Sequence, residues 1–93
     1  MKVTANFHGH LRSTLGTTRQ EFGLPEGSTL QSLICEIGVL YGDKVKASLG
    51  PWSEGEFVML ILVNGQDQHF LGGLETQLKD GDDIDFMPPM SGG

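Results

Sequence analysis

The last seven residues, Met87-Pro88-Pro89-Met90-Ser91-Gly92-Gly93, are the part of this 93-residue chain best equipped for chemistry. Proline fixes φ and offers no backbone donor, so Pro88-Pro89 sets a stiff, extended segment that a sheet cannot absorb. At about 3.1 Å per residue, Pro88–Gly93 reaches on the order of 20 Å, enough to cross into a neighbouring active site. The chain then ends on a free α-carboxyl. With an ordinary pKa of about 3.3–3.7, that group is ionised and inert at neutral pH. It becomes an electrophile only when another catalyst activates it, for instance as an acyl-adenylate. Glycine suits that use. It has no Cβ to collide with a narrow channel, it reaches φ > 0, and an activated glycine has no stereocentre to epimerise. With no residue after Gly93, the carboxylate is expected to need no trimming. A frayed terminus has the same composition, so the tail does not decide the matter by itself.

Other reactive side chains point elsewhere. His8-Gly9-His10 puts both rings on one face if extended, but two histidines make an incomplete zinc site, and His69 lies far away in sequence. Surface loop histidines are the expectation. Cys35 falls within an apolar helical stripe with no adjoining His or Lys, which reads as a buried, inert thiol. Asp80, Asp82, Asp83 and Asp85 lack the long loop and distal Glu of a calcium hand, and read as turn formers and solvated strand residues. Trp52 serves either as a partner anchor or as a lid on a helix end.

The elements that must position the tail follow from periodicity. Val3, Ala5 and Phe7 alternate with Lys2, Thr4 and Asn6, giving a half-buried strand. A connection over His8–Gly16 leads to a second strand at Thr17–Phe22, its hairpin partner. Leu24-Pro25-Glu26-Gly27 breaks the sheet, and Ser28 or Thr29 caps a helix. Leu30, Leu33, Ile34, Ile37, Leu40 and Tyr41 form one apolar helical face, and Gly42 stops it. Asp43–Leu49 suits a further helical turn, and Gly50–Gly55 a loop. Phe57–Val63 is nearly all apolar, which suits a central strand buried on both faces or at least deeply covered. Asn64-Gly65 signals a tight hairpin returning through Gln66–Leu71. Gly72-Gly73 releases that strand, and Asp80-Gly81-Asp82 turns into a last strand at Asp83–Met87. One helix on one sheet is an α+β sandwich.

The motifs carry a resemblance along nearly the whole chain. Leu78-Lys79-Asp80-Gly81-Asp82-Asp83-Ile84-Asp85-Phe86 running into Pro-Pro-x-x-Gly-Gly resembles the C-terminal signature of the MoaD/ThiS family of ubiquitin-like sulfur carriers. Phe7-x-x-x-Leu11-Arg12-x-x-x-Gly16 is similar to that family's first hairpin. Val63-Asn64-Gly65 is similar to its turn before the fourth strand, and Gly73-Leu74-Glu75-Thr76-x-Leu78 to the stretch before its last turn. The resemblance implies a β-grasp (ubiquitin-like) domain over residues 1–87, with one main helix across a mixed sheet of about five strands, and an extended tail over 88–93.

It also implies a carrier rather than an enzyme. Gly93 would be the adenylation and thiocarboxylate attachment point, and Gly92, Ser91, Met90, Pro89 and Pro88 would thread a partner's active site. Met87, Phe86 and His8 would meet that partner, His8 standing where an aromatic or aliphatic residue is usual. The implied partners are an E1-like adenylating enzyme that uses ATP, a sulfurtransferase, and a larger MoaE-like synthase subunit or another sulfur-accepting enzyme. No cofactor and no metal is expected on the chain itself. The Pro-Pro tail looks most like the MoaD branch, the small subunit of molybdopterin synthase. Gly72-Gly73-Leu74 and the Gly50–Gly55 loop also resemble carriers that feed cysteine synthesis. A thiamine-pathway carrier, a ubiquitin-like modifier conjugated to lysines, and a binding module with an unmodified tail are the alternatives.

Composition narrows the setting. The chain is one modest domain with a small core. The net charge of −6 is uneven: residues 1–53 hold five Lys/Arg against four acids, and residues 54–93 hold Lys79 against eight. Such a surface repels phosphate backbones, so nucleic acid is not an expected partner. Acidity serves either solubility or steering toward a basic patch on a tail-handling protein. No apolar run approaches the roughly 18 residues of a membrane span. No signal peptide is visible, and one cysteine suits a reducing compartment, so a cytoplasmic location is expected.

Overall fold

A computed structural model describes residues 1–42, 60–68 and 71–88 of the chain. The expected helical turn at Asp43–Leu49, the Trp52 loop, the first part of the Phe57–Val63 strand, His69 and the tail beyond Pro88 lie outside the described residues. The elements are β1 (Lys2–Phe7), α1 (Leu11–Leu15), β2 (Arg19–Gly23), α2 (Leu30–Tyr41), β3 (Leu60–Val63), β4 (Gln66–Asp67), a short 3-10 turn (Gly73–Glu75) and β5 (Asp83–Met87). They form a five-stranded mixed sheet in the order β2-β1-β5-β3-β4, with β1 and β5 parallel and the other pairs antiparallel. With α2 as its main helix, this is the expected α+β, ubiquitin-like architecture.

Register converts the alternation of each strand into one apolar face. Phe7 pairs with Phe86, and Phe86 with Ile61, so three buried side chains cross β1, β5 and β3 in a row. The next row is Ala5, Ile84 and Val63. Leu30, Leu33, Ile34 and Ile37 of α2 are buried in the same core. The rings of Phe7 and Phe86 stack at 5.9 Å, and Tyr41 meets Phe7 edge-on at 6.1 Å, so the end of α2 sits over the core's aromatic pair.

Thr29 is the N-cap of α2: its hydroxyl accepts from the Ser32 N–H at 3.3 Å, and the Ser32 hydroxyl accepts from the Thr29 N–H at 3.1 Å. This reciprocal box satisfies donors that a helix start leaves open. The apolar stripe stops short of expectation, because Leu40 is 54% exposed. At about 100° per residue, Leu40 lies on the flank of a stripe centred on Leu30, Ile37 and Tyr41.

Three other segments depart from the pattern. The His8–Gly16 connection contains α1, which anchors itself through the buried Leu11. β2 starts at Arg19 rather than Thr17, because the Thr17 hydroxyl is spent on a local turn, donating to the Arg19 carbonyl at 2.9 Å. β3 is covered on one face only: Ile61 and Val63 are buried, whereas Leu60 is exposed and Leu62 half-buried. β4 is cut to two residues because the Gln68 carbonyl accepts from the N–H groups of Leu71 and Gly72 and turns the chain.

Asn64-Gly65 closes the β3–β4 hairpin with φ of 51° and 85°, the two left-handed positions of a type I′ turn. Asn64 also ties this turn to the start of β5. Its Nδ2 donates to Asp82 Oδ1 at 2.8 Å, and its Oδ1 accepts from the Asp83 N–H at 2.9 Å. Asn64→Ala removes both bonds and leaves a Cβ in a left-handed conformation without local support. A loss of about 2 kcal/mol in urea unfolding is expected.

Candidate functional site

β5 runs in the middle of the sheet, so the chain reaches Pro88 between the ends of β1 and β3 rather than at a sheet edge. Pro88, where the tail is expected to begin, is the last described residue. Pro89, Met90, Ser91, Gly92 and Gly93 lie outside the described residues.

The root of the tail is held from the β1 side. The His8 N–H donates to the Phe86 carbonyl at 3.1 Å, extending the parallel pairing by one rung. The His8 ring meets Asp85 at 2.9 Å between Nε2 and Oδ1, with about half of its side chain open to solvent. Next along, Gly9 has φ +59° and lies directly under the Pro88 ring. On the other side Leu60 pairs with Met87. The solvent face of the sheet at the root therefore carries Met87 and His8 with Leu60 and Leu62, a small apolar strip beside one ionisable pair.

Of the three residues expected to meet a partner, Met87 and His8 lie on the open face of the sheet. Phe86 does not: it is fully buried between Phe7 and Ile61, because alternation along β5 turns it inward when Met87 and Asp85 turn outward. It supports the site from inside the core. Gly9 was not singled out in the sequence. Its contact joins residues at opposite ends of the chain, and no local pattern signals it.

An open cleft of about 440 Å³ lies beside the root, bordered by Asn6, His8, Arg12, Arg19, Asp83 and Asp85. Its acids are engaged: Asp85 by His8, and Asp83 by Asn6 Nδ2 at 2.8 Å. The remaining acids of the C-terminal turn are likewise structural. Asp80 Oδ1 accepts from the Lys2 N–H at 2.8 Å, and Asp82 Oδ2 from the Lys79 N–H at 2.7 Å. Cys35 is half-buried rather than buried, with the Gln31 amide donating to its sulfur at 3.5 Å. No group of three His, Cys, Asp or Glu side chains able to hold a metal is found among the described residues. Nor, among them, is any helix long and apolar enough to cross a membrane. What the described residues assemble is a five-stranded sheet whose central strand, β5, runs into Pro88.

Comparison with known proteins agrees with this architecture. The sulfur carrier protein CysO of Mycobacterium tuberculosis is 32% identical over 95 residues, which takes in 100% of both chains. A Pyrococcus furiosus protein assigned as molybdopterin converting factor subunit 1 superposes with a TM-score of 0.77 at 30% identity, covering 97% of this chain and 99% of that one. A chain of the BexX/CysO complex of Amycolatopsis orientalis superposes with a TM-score of 0.76 at 28% identity, covering 98% and 99%. The ThiS family model matches residues 6–93, from β1 through the Gly-Gly end. The chain belongs to the ThiS family.

Proposed function

We propose that this chain is a sulfur carrier that works as a co-substrate for other enzymes, with residues 1–87 as its body and 88–93 as the reactive tail. The Gly93 carboxylate attacks the α-phosphorus of ATP on an E1-like adenylating enzyme and displaces pyrophosphate. A sulfur nucleophile supplied through a sulfurtransferase then displaces AMP, leaving a thiocarboxylate. Activation in two steps is needed because a free carboxylate is not an electrophile at neutral pH. The observation that carries this reading is the family match continuing through the Pro-Pro and Gly-Gly residues, in a chain whose central strand feeds that tail. Pro88 to Gly92 would thread partner active sites, while Met87 and His8 would meet their rims. Such work belongs in a reducing cytoplasm, where the thiocarboxylate survives.

As acceptor we favour a pterin precursor held on a larger MoaE-like subunit, in molybdenum or tungsten cofactor synthesis. The Pro-Pro tail and the likeness to the Pyrococcus furiosus protein support it. Delivery to cysteine synthesis is the second reading, favoured by the likeness to CysO over the full length of both chains. Incubation with ATP and the host's adenylating enzyme should release pyrophosphate. The sulfur-loaded carrier should then lose its sulfur to the pterin precursor and larger subunit, and not to a cysteine-forming acceptor. The opposite preference selects the second reading, and ladders of larger species dependent on Gly93 would point to a protein modifier.

A further inference from the structure

We infer that Gly9 is a positioning residue for the tail: its missing side chain seats the Pro88 ring and sets the direction of the chain where it leaves β5. This rests on the carrier reading above, in which the tail is the reactive part. A methyl group on Gly9 would stand 3.0 Å from Pro88 Cγ and 3.6 Å from Cδ, too close for the first contact without movement. The Gly9 side cannot give way freely. Gly9 is held between elements, since its carbonyl accepts from the Arg12 N–H at 3.3 Å and the preceding His8 carbonyl accepts from the Leu11 N–H at 3.2 Å. The His8 N–H bond to Phe86 and the His8–Asp85 contact fix the same corner to β5. Proline can answer only with its ring pucker, and Cδ, which is bonded to the backbone nitrogen, already lies 3.6 Å from that methyl, so whatever the pucker does not absorb is passed to the backbone. A shift at Pro88 changes where the chain leaves β5, the point from which the proposed tail starts.

Other left-handed glycines do not share this feature. Gly16, Gly27, Gly42, Gly65 and Gly81 all have positive φ, yet a Cβ built on any of them meets nothing within 4 Å. At those positions glycine answers to backbone conformation alone. At Gly9 it answers also to the close approach of the tail root.

That difference supplies the control. Gly9→Ala and Gly16→Ala both place a Cβ at positive φ, +59° and +74°, and so carry similar backbone strain and a similar drop in thermal midpoint. Only Gly9→Ala also displaces Pro88. In the pyrophosphate-release assay with ATP and the host's adenylating enzyme, Gly9→Ala is expected to raise KM for the carrier by about tenfold or more, as small misplacements of a reacting group do. Gly16→Ala should stay within about twofold of the wild type, since nothing near the tail has moved. In the NMR spectrum, a cross-peak between Gly9 Hα and Pro88 Hγ should appear in the wild type and in Gly16→Ala. Equal KM values for the two variants, or a wild type without that cross-peak, overturn the positioning role. A wild type that releases no pyrophosphate at all defeats the carrier reading instead, and the cross-peak alone then decides whether Gly9 seats Pro88.

Discussion

Deleting Gly92 and Gly93 abolishes acyl-adenylate formation and leaves the thermal midpoint of the body where it was. The expectation follows from where the folding energy lies. The core is built from β1, α2, β3 and β5, with Val3, Phe7, Ile34, Ile37, Ile61, Ile84 and Phe86 essentially inaccessible to solvent. Burial of such side chains is worth about 1.5–3 kcal/mol each relative to exposure, and Gly92 and Gly93 have no side chain to add to it. The reaction is the reverse case. On the proposed adenylating enzyme, a carboxylate carried by Ser91 would bring a Cβ and a stereocentre into a channel shaped for glycine, and a tail two residues short would fall about 6 Å short of the reactive phosphorus. Activity should therefore fall below detection in the pyrophosphate assay while calorimetry shows an unchanged transition. A coupled loss of stability would mean that the tail is part of the fold.

Phe86→Ala should do the opposite, unfolding the protein without touching the tail's chemistry directly. Its ring lies in the central row of the core, stacked at 5.9 Å on Phe7 and paired across β3 with Ile61. Truncation removes apolar contact and leaves a cavity that a five-stranded sheet cannot collapse around, a loss of about 3–5 kcal/mol. A domain of this size has total stability of about 5–15 kcal/mol, so the variant will be marginal and its urea midpoint strongly lowered. Met87→Ala, one residue on, should change stability little, because that side chain faces the open side of the sheet. The pair of substitutions separates the two faces of β5. If Phe86→Ala instead left stability intact and weakened partner binding alone, the inward placement of its ring would be wrong.

The split between those neighbours shows where sequence is informative. Alternation in β1 and β5 is strict, and both strands lie where their periodicity puts them, because the sheet has one apolar face and a slip of one residue would turn every side chain over. Asn64-Gly65 was equally legible, since two adjacent left-handed positions admit few other pairs. The helix was legible in its middle and less so at its end, where Leu40 sits on the flank of the stripe. Phe86 was misplaced as an interface residue because proximity to the tail in sequence says nothing about which way a strand residue points. β3 was read as buried on both faces or at least deeply covered because its composition is apolar, yet Leu60 is exposed and Leu62 half-buried beside Met87. An apolar strand can owe its outer face to a partner, and composition does not tell the two causes apart. Gly9 was illegible for a different reason. Its requirement comes from Pro88, and only the parallel pairing of the first and last strands brings the two together.

As a sulfur carrier, the protein would hold its sulfur covalently, on the terminal carbonyl carbon of Gly93. Intact mass spectrometry of the protein purified from its native host, followed by sequencing of the C-terminal peptide, addresses this most directly. A population heavier by the exchange of one oxygen atom for sulfur is expected, with the difference confined to Gly93 and lost after alkylation and hydrolysis. A protein found only at its unmodified mass, even when the host is starved for the sulfur-containing product, contradicts the carrier reading.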